Sequence, residues 1–217
     1  MSSVVRLRAF VDFWNFQLSW NKHTHKAPCD YSVLAKVLKD KCAELLAGEV
    51  NKPIELLEVR LYASYNPDNR AEQKLKEWLE NTIAKFPHYR VFLRARHPRS
   101  RNVRCNECGS TIVNCPYCRE PLSYAKEKGV DALMIIDLLS LAWADAYDVA
   151  LLVTNDTDFV AAVERVQERG LRVVNATWKD QGIALSETCC KSFKIEEMAE
   201  KLYRNCLDAP EGSKRDH

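Results

Sequence analysis

The sequence lacks several features that would place the protein in a special class. None of its apolar runs approaches the roughly 18 residues that a membrane-spanning helix requires. The first residues, Met1 to Arg6, lead almost directly into a predicted strand and show no secretory pattern. Internal repeats and low-complexity segments are also absent. The net charge of +2 is nearly neutral and by itself indicates no class of partner.

What the sequence does contain is enough apolar material for a packed core. Its 217 residues are 47% hydrophobic, so we expect one sizeable core, or a domain that carries a small module. The nine cysteines are an odd number, and four of them form two tight pairs. That pattern favours a reducing cytoplasm and a bound metal over a disulfide framework. The other five are expected to be free thiols, buried or half-buried: Cys29, Cys42, Cys189, Cys190 and Cys206.

Apolar periodicity predicts strands that alternate with helices along most of the chain. The predicted strands cover residues 4–11, 54–62, 89–95, 149–153 and 171–176. The predicted helices cover residues 31–46, 69–85, 130–147, 159–169 and 196–207, and residues 13–30 are interpreted as a loop. This alternation is typical of an α/β fold, with a mostly parallel sheet and helices on both faces. We expect a main domain over 1–208, a module inserted at 99–122 and a flexible tail at 209–217.

Carboxylates follow two of the predicted strands at the point where each strand ends. Asp156 and Asp158 come just after the apolar run 149–153, and Asp12 ends the first strand. If these strands are neighbours, the three carboxylates meet at one edge of the sheet, and like charges repel unless a cation lies between them. Hard oxygen ligands favour Mg²⁺ or Mn²⁺, which can activate water for phosphoryl displacement. Each acid taken alone also suits a helix N-cap, an alternative that the sequence leaves open.

Two further acids belong to the predicted helix 130–147. Asp131 lies in its first turn, where the helix dipole alone accounts for an acid, although the side chain can also extend into the site. Asp137 is an isolated charge in an apolar helix, so it is either a further ligand or a salt-bridged residue. The helix is apolar almost all round, which predicts that it is buried or forms the contact of a homodimer.

The module at 99–122 contains the four paired cysteines. Cys105, Cys108, Cys115 and Cys118 form the pattern CxxC-x6-CxxC, which is the donor set of a tetrahedral structural Zn²⁺ site. A redox function for the second pair is less compatible with the partnering pair and the loop setting. An iron cluster also uses four thiolates, but the glycine and proline in the motif favour the turns of a zinc ribbon. Zinc would fold a loop that is too short to fold alone.

Three segments together resemble the NYN domain, a family of the PIN-like nuclease superfamily: residues 10–15, 126–139 and 152–159. The similarity is greatest to the bacterial LabA-like branch and covers nearly the whole chain outside the cysteine module. It implies a Rossmann-like, PIN-like α/β/α sandwich and an endoribonuclease site that depends on Mg²⁺ or Mn²⁺. The residues that match the family's site are Asp12, Asn15, Asp131, Asp156 and Asp158, with Asp137 as a further acid.

The chain departs from the family pattern at Thr154-Asn155, where the family often has Ser-Gly. The acids that the site needs are all present. Asn15, together with Thr154 or Thr157, is expected to orient water or phosphate. Two other functions remain open at this point: a zinc-ribbon RNA-binding adaptor that does not cleave RNA, and a flap-type nuclease that acts on DNA.

A basic stretch precedes and enters the cysteine module, with no acid between Tyr89 and Asn106. Arginine pairs with phosphate and stacks on bases, so the stretch is interpreted as an RNA contact, or else as an ordinary solvated surface. Trp14 can stack on unpaired bases together with Phe16 and Trp20, or these rings can belong to the core. The predicted nucleic-acid contacts are Arg94, Arg96, Arg99, Arg101, Arg104, Lys126, Lys128 and Trp14, with Arg90 at the start of the stretch.

Overall fold

A computed structural model describes residues 3–96, 99–100, 102–124, 129–179 and 181–204. The main sheet has six parallel strands: β1 (Val5–Asp12), β2 (Ile54–Tyr65), β3 (Tyr89–Ala95), β8 (Val149–Val153), β9 (Arg172–Thr177) and β10 (Lys191–Lys194). Across the sheet their order is β10-β9-β8-β1-β2-β3. Short strands in the inserted module, and directly after it, are β4 (Arg99–Ser100), β5 (Val103–Arg104), β6 (Thr111–Ile112) and β7 (Ser123–Tyr124).

Helices cover both faces of this sheet. They are α1 (Phe13–His23), α2 (Tyr31–Leu46), α3 (Arg70–Asn81), α4 (Val130–Trp143), α5 (Val160–Glu168) and α6 (Ile183–Thr188). The described residues also contain three 3₁₀ segments: Ile83–Lys85, Thr157–Phe159 and Ile195–Leu202. One core lies between the sheet and α1, α2 and α3, and a second lies between the sheet and α4, α5 and α6. The α/β prediction, with its parallel sheet between two helical layers, is therefore confirmed.

The centre of the sheet is apolar because it is covered on both faces. Every residue of β8 is buried, as expected for a parallel strand between two helical layers. At the other end of the strand pair, Arg6 and Asp148 join β1 to β8. The Arg6 guanidinium donates to the Asp148 carboxylate at 2.8 Å, and the backbone N–H of Arg6 donates to it as well. This ion pair lowers the pKa of Asp148.

The interpretation of residues 13–30 as a loop was wrong, because the segment contains helix α1. Asp12 caps it by accepting a hydrogen bond from the backbone N–H of Asn15. Phe13, Phe16 and Trp20 recur at helical spacing and are fully or almost fully buried. Polar residues between these rings concealed the pattern. Helix α1 begins directly after β1, so Asp12 is both the last residue of the strand and the cap of the helix.

Other element boundaries also differ from the prediction. Helix α4 ends at Trp143 instead of residue 147. Tyr147 follows the helix, and its hydroxyl donates to the carbonyl of Leu138. Helix α6 and strand β10 were not predicted, because each is too short to show a period. The predicted terminal helix is a 3₁₀ segment, Ile195–Leu202, and residues 205–217 lie outside the described part of the chain. Of the helices that the structure describes, none is long and apolar enough to cross a membrane.

Candidate functional site

The predicted acids lie at the carboxyl edge of the sheet. β1 and β8 are neighbours, with Val11 in register with Val153, so Asp12 and Asp156 follow adjacent strand ends. Asp158 lies two residues further on, in the 3₁₀ segment. Helix α4 follows β3 in the main domain and runs antiparallel to the strands, back to the start of β8. Its first turn, which contains Asp131, therefore lies at the same carboxyl edge. The fold thus brings together segments that are far apart in sequence.

Two of these acids also act as caps, which was the alternative explanation for them. An Asp12 oxygen accepts from the Asn15 N–H at 3.0 Å, and an Asp156 oxygen accepts from the Asp158 N–H at 2.9 Å. Each of these bonds occupies one oxygen, whereas an ionised carboxylate has two oxygens and about four lone-pair sites. Capping is therefore compatible with a second function. Within the described residues, no three His, Cys, Asp or Glu side chains are close enough to hold a single ion.

Asp137 is a salt-bridged residue. Its carboxylate accepts from the Arg60 guanidinium at 2.7 Å and from the Tyr62 hydroxyl at 2.8 Å. Arg60 is almost buried and also lies over the ring of Phe92, at 4.2 Å from its centroid. Burial raises the pKa of Tyr62, and its hydrogen bond to Asp137 adds to the effect. This network holds α4 against β2, about 9 Å along the helix from Asp131.

The polar residues beside the acids shape the turn after β8. The Thr154 hydroxyl accepts from the Asp156 N–H at 3.2 Å, and its side chain is buried, while Thr157 is exposed. Asn15 accepts from the backbone N–H of Asn155 at 3.0 Å. The side chain of Asn155 bonds to Gln181, a residue that the sequence did not single out. Gly182, whose φ is positive at 59°, belongs to the tight loop after β9 that carries Gln181.

The cysteine module contains two turns that are built alike. In the first, the N–H of Cys105 donates to the Ser110 carbonyl, and the N–H of Gly109 donates back to the Cys105 carbonyl. In the second, Cys115 and Arg119 repeat both bonds, with Glu120 in the position of Ser110. Gly109 and Arg119 both have positive φ, at 70° and 63°. Each turn therefore presents its two cysteines from the same backbone conformation.

The hydrogen bonds in these turns favour thiolates. Bonds from Ser110, chiefly from its hydroxyl, lower the pKa of Cys108 to about 7. The backbone N–H of Cys118 lowers the pKa of Cys115. Burial has the opposite effect on the isolated thiols, since it raises the pKa of both Cys42 and Cys189 to about 12. Cys108 and Cys115 thus differ chemically from Cys42 and Cys189. Cys190 is exposed where a buried or half-buried thiol was expected.

The predicted nucleic-acid contacts fall into separate groups. The indole N–H of Trp14 donates to the Ser64 carbonyl, and Arg96 pairs with Glu72 at 2.6 Å while lying near the Trp14 ring. Phe16 and Trp20 belong to the core. Arg94 and Arg104 are exposed, and Arg99 has a described backbone in β4. The remaining predicted contacts, Arg101, Lys126 and Lys128, lie outside the described residues, as does Cys206.

Comparison with known proteins identifies the fold and the family. A solved structure of a protein of unknown function from Vibrio parahaemolyticus RIMD 2210633 is similar, with a TM-score of 0.57 and 15% identity over 90% of this chain and 95% of that one. At that identity the similarity shows the fold alone. No curated protein matches the chain. The family model of the NYN domain matches residues 6–196. The chain therefore belongs to the NYN domain family, which is part of the PIN-like nuclease superfamily.

Proposed function

We propose that this protein is a metal-dependent endoribonuclease. The observation that supports the proposal most directly is the position of Asp12 and Asp156 on adjacent strand ends, with Asp131 and Asp158 at the same edge. Membership of a nuclease superfamily gives the coarse class of reaction. The carboxyl edge of an open parallel sheet is also where such folds bind their ligands.

The donor set at this edge fits Mg²⁺ or Mn²⁺. Its groups are carboxylates, which are hard oxygen ligands, and no thiol or imidazole was predicted among them. Asp12, Asp131, Asp156 and Asp158 are the candidates to hold the ion. Mg²⁺ usually keeps several waters and is bound by only one or two carboxylates, so it does not require three of these acids close together. When bound, the ion supplies Lewis acidity toward a phosphodiester.

The chain itself provides position and charge at this edge. The N-terminus of α1 lies here, and the backbone N–H groups of its first turn favour negative ligands. Buried β8 holds the turn from Thr154 to Asp158 on a rigid support. Asn15 and the Thr154 or Thr157 hydroxyl are the groups that we assign to orienting water or phosphate.

The finer features of the proposal concern the substrate and the module. Exposed Arg94 and Arg104 support contact with a nucleic-acid backbone, and we place single-stranded or looped RNA there. The two matched turns support a structural Zn²⁺ bound by Cys105, Cys108, Cys115 and Cys118. We assign the chain to the LabA-like branch of the family. The eight described cysteines form no disulfide with one another, which supports a location in the cytoplasm.

We also propose a homodimer through α4. Ile136 and Trp143 are more than half exposed on its outer face, at 58% and 54%, although the helix buries Met134 and Leu138 inside. Ile136→Glu is expected to convert a dimer into a monomer, because it places a charge in an apolar contact. Light scattering coupled to size exclusion measures this. Mass readings of one chain for the unmodified protein at every concentration would rule the dimer out.

The test of the function is incubation of the purified protein with labelled single-stranded RNA and Mn²⁺. We expect internal cleavage that EDTA abolishes. Binding without cleavage under every metal tried would support the adaptor instead. Cleavage of a deoxy-substituted substrate in preference to RNA would support the flap-type DNA nuclease.

A further inference from the structure

The side-chain amide of Asn155 uses its complete hydrogen-bonding capacity. Its oxygen accepts from the backbone N–H of Trp178 at 3.2 Å and from the Thr177 hydroxyl. Its nitrogen donates to Oδ1 of Asn15 at 2.9 Å and to Oε1 of Gln181 at 2.7 Å. An amide has two N–H donors and two lone pairs on oxygen, and all four are used here. The side chain therefore joins α1 to the turn after β8 and the loop after β9.

These contacts determine which way each amide faces, since a backbone N–H can only donate. The backbone N–H of Asn155 donates to Asn15 at 3.0 Å, so Asn15 must present its oxygen there. The N–H of Trp178 orients the Asn155 amide in the same way. The Asn155 nitrogen therefore faces Gln181, which must present its oxygen in turn. The NH₂ groups of Asn15 and Gln181 are consequently turned away from Asn155.

These two NH₂ groups are not used inside the protein, as far as the structure describes it. Neither the Nδ2 of Asn15 nor the Nε2 of Gln181 donates a hydrogen bond to any described residue. Ser19 donates to Oε1 of Gln181 at 3.2 Å, which reinforces the orientation of that amide. Both amide residues are half-buried. Two oriented donors thus flank the turn that contains Asp156.

Gly182 allows the loop that contains Gln181 to lie close to the backbone of Asn155. A Cβ on Gly182 would lie 2.9 Å from both the Cα and the carbonyl oxygen of Asn155, closer than side chains are found. Its φ of 59° is also in the left-handed region that favours glycine. The loop can approach Asn155 only because no side chain stands between them.

We propose that Asn15 and Gln181 form a pair of neutral amide donors, oriented by Asn155, that binds non-bridging phosphate oxygens of the nucleic-acid backbone. The inference rests on the proposed function and assigns Gln181 as a substrate-binding residue. Asn and Gln side chains commonly donate to phosphate oxygens. A lysine in this position would compete with a metal ion for the neighbouring carboxylates, whereas a neutral amide does not. Asn155 is then a positioning residue that acts through both amides.

The experiment measures the affinity of single-stranded RNA with Ca²⁺ in place of Mn²⁺, across a series of salt concentrations. Gln181→Ala is expected to weaken binding about 10-fold, because it removes a hydrogen bond to a charged group. The slope of affinity against salt should stay unchanged, because the lost group is neutral. Gln181→Glu, which keeps the oxygen facing Asn155 but replaces the NH₂ donor, should weaken binding at least as much.

The matched control is Gln167→Ala, which makes the same truncation near the end of α5, where Gln167 donates to the Thr188 carbonyl. It should bind RNA like the unmodified protein. Asn155→Ala combined with Gln181→Ala should weaken binding less than the sum of the single changes, because both act on one amide. Unchanged affinity in Gln181→Ala would overturn the assignment. So would losses of affinity that are additive in the double variant and that match the fraction of protein that has unfolded. The affinity for RNA is measured in Ca²⁺ and does not depend on cleavage. An absence of RNA cleavage by the unmodified protein in Mn²⁺ would therefore count against the proposed function alone.

Discussion

Asp156→Asn is expected to reduce RNA cleavage by about 100- to 1,000-fold, as found when a group that stabilises transition-state charge is removed. The same change should leave the folded state almost intact, within ~0.5 kcal/mol, because asparagine caps a helix about as well as aspartate. The hydrogen bond from the Asp158 N–H can form with either side chain. Cleavage rates and urea denaturation, measured on the same preparation, separate the two functions of this residue.

Asp137→Asn is the contrasting variant. It weakens the ion pair with the almost buried Arg60, so we expect a loss of stability of roughly 1–3 kcal/mol. Cleavage per folded molecule should fall far less than in Asp156→Asn. If Asp156→Asn kept full activity, its carboxylate would be a cap and no more, and the metal site proposed at this edge would be wrong.

The second large effect concerns the cysteine module. We expect about one zinc ion per chain by elemental analysis, and none in Cys115→Ser, because a tetrahedral site with four thiolates depends on each of them. Structural zinc binding contributes on the order of 10 kcal/mol to small domains, so its loss should unfold the module. Limited proteolysis should then cut within residues 99–124. The circular dichroism of the main sheet should hardly change, since the module's strands pair only with one another in the described chain.

Cys190→Ser supplies the control, because Cys190 is an exposed thiol outside the two matched turns. It should retain zinc and resist proteolysis like the unmodified protein. Elemental analysis that found iron and no zinc, together with visible absorption, would replace the ribbon with a cluster site. Equal metal content in Cys115→Ser and Cys190→Ser would exclude both.

The sequence was most informative where a single physical pattern determined the structure. Strand β8 was predicted with its observed bounds because an apolar run between polar segments has few other conformations in a buried sheet. Helix α2 was also predicted with its observed bounds, because its first turn and Asp30, which caps it, are local in sequence. The order of the strands, by contrast, depends on long-range packing. The alternation of strands and helices along the chain indicates a parallel sheet, but it does not predict that β1 lies beside β8.

The site was predicted unevenly for a similar reason. Acids at strand ends are visible in a sequence because charge after an apolar run is unusual. Asp137 could be recognised as either a ligand or a salt-bridged residue, and only the position of Arg60 across the helix interface distinguishes the two. Gln181 gave no signal, because its relation to Asn155 exists only once β9 is paired with β8. The internal partners of Trp14 and Arg96, Ser64 and Glu72, could not be predicted because they are distant in sequence.

The pairing of β1 with β8 has a consequence for the protein during its synthesis. Arg6 and Asp148, which join these strands, are 142 residues apart, so the pair forms only after most of the chain has left the ribosome. Such long-range pairings are slow steps in folding. Asp12 is synthesised early but has Asp156 beside it only near the end. The acidic edge at which we propose the active site therefore assembles only after residues 149–158 have emerged, late in synthesis.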